Sequence, residues 1–224
     1  MAVDRLTPLQ RRILRAVAEL DPPWTLTGGG ALAGVHLGHR ATRDLDLFWR
    51  ELASLGNLPG EARSLLRADG LDVTVLRTSP AFTELRVTDG DDVCIIDLVA
   101  EPTPAIEPPQ RAEIEGAAIA VDSRHEILVA KLTTLLGRTE VRDLMDVEAL
   151  LESGGNLQAA LKDAPKKDGG FSPLTLAWVL ESFDLRQLAL ALGAGEQEVS
   201  RLETFKHELI ERLTSAAKPG SSRE

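Results

Sequence analysis

The sequence predicts an α+β protein: a mixed sheet with flanking helices, followed by an α-helical C-terminal domain. Three observations support this. Short alternating or apolar runs bounded by turn residues recur between Trp24 and Val121, as strands require. From Ser123 onward the apolar residues fall at helical spacing instead. The pattern changes once, so the expected domains are 1–121, a sheet with its helices, and 122–224, a helical domain.

The elements follow in order. Thr7-Pro8-Leu9-Gln10 has the form of a capping box with proline at the first helical position, and Leu9, Ile13, Val17 and Leu20 continue a helix over 7–20. Asp21-Pro22-Pro23 ends it. Trp24–Thr27 reads as a strand, Gly28–Gly38 as a glycine turn and small-residue helix, and Asp44–Trp49 as a second strand. Pro59–Ala68 reads as a helix stopped by Asp69-Gly70. Leu71–Arg77, Phe82–Thr88 and Val93–Val99 read as strands, the last two joined at Asp89-Gly90-Asp91 in a hairpin. Ala112–Glu115 and Ala117–Val121 form another hairpin around Gly116. Ser123-Arg124-His125-Glu126 is a second capping box, opening a helical run that Gly137 weakens and Gly154-Gly155 ends. Lys162 to Gly170 reads as an exposed loop. Helices are expected around Pro173–Gly193 and Glu196–Ala216, with a frayed tail from Lys218.

Composition narrows the class. Of the 224 residues 43% are hydrophobic and 27% charged, ordinary for a soluble globular chain. No apolar run approaches the roughly 20 residues needed to span a bilayer. The amphipathic N-terminus lacks the apolar core of a secretory signal, and a cytoplasmic location is expected. The single Cys94 excludes an intrachain disulfide or a cysteine metal cluster. A net charge of −10 argues against nonspecific binding to nucleic acid or anionic membrane, but leaves room for a local basic face.

Two constellations suggest chemistry. Asp44 and Asp46 stand one residue apart on a strand and share a face, while Leu45, Leu47 and Trp49 take the other. Adjacent like charges cost free energy unless a cation compensates, and a divalent metal does so. The plain alternative is a pair of solvated carboxylates. The Gly28-Gly29-Gly30 turn offers backbone N–H groups suited to phosphate at a helix N-terminus. Asp97, inside an apolar run, is a third carboxylate that is costly to bury alone. Farther on, Lys131, Arg138 and Arg142 lie within about 40° of one another on a continuous helix, with Asp146 about 40° beyond. A break at Gly137 would destroy that stripe. His36, His39, His125 and His207 form no set and are assigned helix-end or surface positions. Ser123 reads as a cap, and Trp178 as core.

Gly28-Gly29-x-Ala31-Leu32 followed by Arg40-x-Thr42-x-Asp44-Leu45-Asp46-Leu47 resembles the signature of the nucleotidyltransferase superfamily with the DNA polymerase β-type fold. His125-Glu126-Ile127-Leu128, Lys131, Arg138 and Arg142-Asp143-Leu144-x-Asp146 resemble its AbiEii/AbiGii type IV toxin branch, which includes the MenT toxins. The resemblance covers residues 24–152. It implies that Gly28 and Gly29, with Gly30, Arg40 and Thr42, hold a nucleoside triphosphate. It implies that Asp44, Asp46 and, by strand position, Asp97 bind Mg²⁺ as two ions. Lys131, with Arg138 and Arg142, would contact nucleotide phosphates, and Asp146 would be an active-site carboxylate. The implied acceptor is RNA, in particular the tRNA 3′ end, and the implied partner an antitoxin protein. Gly30 departs from the family, which often has Ser or Thr there. A hydroxyl contact to phosphate is thereby missing, as is a phosphorylation target. An antibiotic-type enzyme with a small acceptor, and a non-catalytic nucleotide- or protein-binding member, are the alternatives.

Overall fold

The sheet is the frame on which the rest is placed, and its strand order is β3-β4-β5-β2-β1-β7-β6. In the computed structural model, which describes residues 4–218, the strands are β1 (Thr25–Thr27), β2 (Asp44–Arg50), β3 (Asp72–Ser79), β4 (Phe82–Asp89), β5 (Asp92–Glu101), β6 (Gln110–Ile114) and β7 (Ala117–Val121). β1 runs antiparallel to β2 and parallel to β7, and β2 runs parallel to β5, so the sheet is mixed. The expected hairpin is one half of a longer β3-β4-β5 meander.

Alternation along β2 decides which face is core. Leu45, Leu47 and Trp49 are buried, whereas Asp44, Asp46, Phe48 and Arg50 are half-buried on the opposite face. Leu85, Val87, Ile96 and Leu98 continue the buried layer through β4 and β5. Helices α1 (Pro8–Ala16) and α3 (Leu58–Ala68) complete it with Leu9, Ile13, Leu14, Ala62 and Leu66. The Thr7–Gln10 capping box forms, with Thr7 Oγ1 accepting from the Gln10 amide at 3.1 Å and Gln10 Oε1 from the Thr7 amide at 2.9 Å. α1 stops short of residue 20, and the Val17 carbonyl beyond it accepts from Trp24 Nε1 at 2.7 Å.

After β1 the chain makes one α-turn, α2 (Gly28–Ala31), and widens into a π-helical stretch, Leu32–His36. Gly34 lies against Leu6 so closely that a Cβ there would come 2.5 Å from Leu6 Cδ1. The remaining helices are α4 (Arg124–Gly137), α5 (Val141–Glu152), α6 (Leu157–Asp163), α7 (Pro173–Glu181), α8 (Leu185–Ala191) and α9 (Glu196–Ala216). The chain divides into two compact units, Met1–Ile127 and Leu128–Glu224, so the division falls inside α4. No helix among the described residues is long and apolar enough to cross a membrane.

Three expectations change. The Lys162–Gly170 loop is partly helical, because α6 runs to Asp163 and a 3₁₀ turn, Ala164–Lys166, buries Ala164. The helix expected over Pro173–Gly193 is two helices, since Asp184 accepts from the Gln187 amide and starts α8 anew. Trp178 is 68% exposed rather than core. The frayed tail beyond Lys218 lies outside the described residues.

Truncating the β5 core should cost stability without touching the polar face. Ile96→Ala, at a side chain 1% exposed, is expected to lower unfolding free energy by about 2–5 kcal/mol in urea titrations.

Candidate active site

Sheet register brings the acidic residues of three distant segments into one row. Asp46 pairs with Asp97 on β5 and with Thr27 on β1, and the row continues to Glu84 on β4 and Arg77 on β3. Asp44 stands on the same face one step along, opposite Ile95. Thr42 orients Asp44 by donating its hydroxyl to Asp44 Oδ1. The Thr42 carbonyl in turn accepts from Gln10 Nε2 at 3.0 Å, so the capping residue of α1 also steadies the entry to β2. Beneath this segment the Cys94 thiol is buried near Asp44, and burial first, then that negative charge, pushes it up to about 12. It is inert as a nucleophile.

The glycine turn meets the carboxylates at contact distance. Gly28 has φ +59°, a left-handed conformation, and a Cβ there would lie 2.3 Å from Asp46 Oδ2. A side chain is therefore excluded twice, by backbone geometry and by the carboxylate. A Cβ on Gly29 would lie 2.8 Å from Thr42 Oγ1 and 3.4 Å from Arg40 Nη2, so both signature side chains gather at the turn. Gly30 is different. Its Cβ would meet Leu26 Cδ1 and Leu45 Cδ2, each at 3.1 Å, so a side chain would start out toward the core rather than toward Asp46. The first amides of the turn belong to a helix start and lack intrahelical acceptors, as phosphate binding requires.

The donor set suits a hard divalent ion. Asp44, Asp46 and Asp97 offer only carboxylate oxygens on one face, and the bare Gly28 backbone leaves room beside Asp46. Among the described residues no three His, Cys, Asp or Glu side chains are drawn into a ready cage. Mg²⁺ is commonly held by one or two carboxylates together with water and substrate phosphate.

Two neighbours not singled out in the sequence complete this unit. Asp122, directly after β7, is 1% exposed and accepts from Arg50 Nη2 at 2.6 Å, while Arg50 also lies 3.6 Å from Glu126. Burial pushes the Asp122 carboxyl up, against the pull of Arg50 and a hydrogen bond with Thr27. Arg50 crosses the Phe48 ring at 5.0 Å to reach it. His36 stands at the end of the π-helical stretch, as expected, but is buried rather than on the surface, and one ring nitrogen lies 2.7 Å from the Asp122 carbonyl. Burial pushes its imidazole down. Ser123 does cap α4, accepting from the Glu126 amide at 3.1 Å, but the Glu126 carboxylate turns away to accept from the Ile106 amide at 2.7 Å.

The helical unit holds a second constellation. Gly137 does end α4, so Lys131, Arg138 and Arg142 do not form a stripe on one helix. Instead Lys131 on α4 meets α5 across the turn: its Nζ lies 2.5 Å from Asp143 Oδ1 and 3.0 Å from Asp146 Oδ2. Both carboxylates are buried, and their i,i+3 spacing puts them on one helix face. Burial alone would lower the Lys131 pKa; Asp146 and Asp143 outweigh it and raise it. Arg138 Nε reaches Asp143 Oδ2 at 3.3 Å from the exposed side, and Arg142, also exposed, lies 3.8 Å from Glu140. Asp143 was not among the candidate residues, although the paired spacing with Asp146 was its signal.

The fold is that of a nucleotidyltransferase. MenT4, a nucleotidyltransferase toxin from Mycobacterium tuberculosis, superposes with a TM-score of 0.64 at 15% identity, covering 95% of this chain and 83% of its own. A candidate nucleotidyltransferase from H. pylori gives 0.55 at 22% identity, with 94% and 96% covered. JHP933 from Helicobacter pylori gives 0.53 at 20%, with 92% and 91% covered. Comparison with curated protein sequences gives no match. The model of the nucleotidyl transferase AbiEii toxin family, type IV toxin–antitoxin system, matches residues 12–203, and the chain belongs to that family.

Two predictions test these constellations. Gly28→Ala should cut transferase activity by about 100-fold or more, because the turn must move away from Asp46, while circular dichroism remains native. The second concerns alkaline stability. The folded pKa of Lys131 is raised above its ordinary 10.5, so its contribution is full below that value and is lost as pH rises through the folded one. Urea midpoints should therefore fall above about pH 10.5 in the wild type. Lys131→Met should lack this component and should be about 3–5 kcal/mol less stable at neutral pH, because two buried carboxylates lose the ammonium they share.

Proposed function

We propose that this enzyme transfers a nucleoside monophosphate from a nucleoside triphosphate to the 3′-terminal hydroxyl of an RNA, the tRNA 3′ end above all. We further propose that it requires Mg²⁺, as two ions, and that it acts as the toxin partner of an antitoxin protein. The observation that carries the reading is the register of Asp44, Asp46 and Asp97 on one sheet face beside the bare backbone of Gly28.

In this reading the amides of the Gly28–Gly30 turn hold the β- and γ-phosphates, with Arg40 and Thr42 leaning in at Gly29. Asp44 and Asp46 would hold the metal ions, and Asp97 would complete one metal site or accept the proton of the attacking hydroxyl. Bound Mg²⁺ supplies charge compensation on the phosphates and acidifies the hydroxyl. The acceptor oxygen forms a bond to the α-phosphorus, the bond to the bridging oxygen breaks, and pyrophosphate leaves. Lys131, with Arg138 or Arg142, offsets phosphate charge, and Asp143 and Asp146 position the Lys131 ammonium for that task.

Incubation with total RNA and each labelled triphosphate in turn, with Mg²⁺, is the test. Acid-precipitable label should come from one or more triphosphates, and EDTA should abolish it. Asp46→Ala should reduce it about a thousandfold, the rate equivalent of several kcal/mol. Label transferred to small hydroxylated compounds and not to RNA would replace the RNA acceptor. Full activity in Asp46→Ala would overturn the carboxylate assignment.

A further inference from the structure

The face that carries Asp44 and Asp46 continues past β5 to the edge of the sheet. Asp44 is in register with Ile95, Ile95 with Arg86, and Arg86 with Thr74. One step along, Asp97 is followed by Glu84 and Arg77. Strand pleating puts all of these on one side. Arg86 and Thr74 are exposed and Ile95 is half-buried, so this strip is open to solvent. With strands about 4.8 Å apart, the Arg86 backbone stands about 10 Å from that of Asp44.

The two arginines of this strip are in different states. Arg77 is committed, its guanidinium holding Glu84 through two bonds of 2.6 and 3.1 Å. That pair neutralises Glu84, the cross-strand neighbour of Asp97 on β4. Arg86 makes no side-chain hydrogen bond or ion pair among the described residues, and its cross-strand neighbours Ile95 and Thr74 offer no charge to meet. A cation at such a place sometimes guards an edge strand, but β4 is an interior strand with β3 outside it. In a chain of net charge −10, an uncompensated guanidinium on the same face as the catalytic carboxylates is poised for an anion of the substrate.

We infer that Arg86 and Ile95 form the acceptor-strand subsite, in which the guanidinium holds a backbone phosphate of a single-stranded RNA 3′ end. This rests on the RNA-acceptor reading above. With the terminal hydroxyl at Asp44 and Asp46, the terminal nucleoside lies over apolar Ile95. The preceding phosphodiester then comes within reach of Arg86, whose planar fork matches two phosphate oxygens. The contact is to backbone, so it carries no base preference.

Steady-state kinetics of the full chain with RNA and triphosphate across a salt series test this, using wild type, Arg86→Ala, Arg86→Gln and Arg86→Lys. In both neutral variants the KM for RNA should rise about tenfold, as loss of one charged hydrogen-bonded contact predicts. The KM for the triphosphate should not change. The slope of log KM for RNA against log salt should fall by about 0.7, the signature of one lost single-strand phosphate contact. Arg86→Lys should keep the slope. A merely structural arginine would change kcat, both KM values and the melting temperature together and leave the slope alone. If wild type labels RNA and either folded neutral variant keeps the wild-type RNA KM and slope, the subsite is overturned. If wild type labels only small hydroxylated acceptors, the RNA reading fails first and the subsite with it.

Discussion

Everything at the carboxylate face depends on how closely a backbone can approach Asp46. The Gly28 Cα sits where any Cβ would lie 2.3 Å from Asp46 Oδ2. The glycine turn and the carboxylate row are therefore one object, held together by the antiparallel pairing of Thr27 with Asp46. The rest of this unit serves that contact. Leu26, Leu45 and the unsubstituted Gly30 pack beneath it, Gln10 and Thr42 fix the entry to β2, and Arg50 with Asp122 ties β2 to the end of β7.

The helical unit handles charge differently. On the sheet face Asp44, Asp46 and Asp97 are gathered by strand register on one side. Between α4 and α5 the carboxylates of Asp143 and Asp146 are compensated within the fold by Lys131. Burying such a group costs several kcal/mol per ion, and the geometry here offsets that by giving the ammonium two partners. The consequence is a lysine whose position is set before any substrate arrives. Arg138 and Arg142 are exposed at the turn, where Arg138 pairs with Asp143 and Glu140 and Arg142 with Glu140.

Much of this was legible because the relevant signals are local. The Asp-x-Asp alternation on β2, the glycine turn and the Thr7 capping box depend on neighbours in the chain, and the structure has each of them. The α9 bounds, Glu196–Ala216, also match the helix expected there. What escaped depends on distant partners. Asp122 and His36 look like ordinary loop and helix-end residues until β7 pairs with β1 and brings them together. The helix hairpin at Gly137 turned a supposed one-face stripe into a cross-helix ion pair. Periodicity alone could not show that, since both arrangements use the same apolar spacing. At Gly30 the distant partners add a packing constraint that the local sequence does not show, since a Cβ there would meet Leu26 and Leu45.

The two parallel pairings, β2 with β5 and β1 with β7, join segments that are far apart in sequence. Such pairings close long loops, whose entropy must be offset before the contacts stabilise anything. Asp46 and Asp97 meet only through the first of these, and Asp122 reaches Arg50 only through the second. Nascent chains that end before β5 hold the Asp-x-Asp strand without its third carboxylate. Those that end before β7 lack the tie that closes the far side. Assembly of this face is thus coupled to near-completion of the sheet.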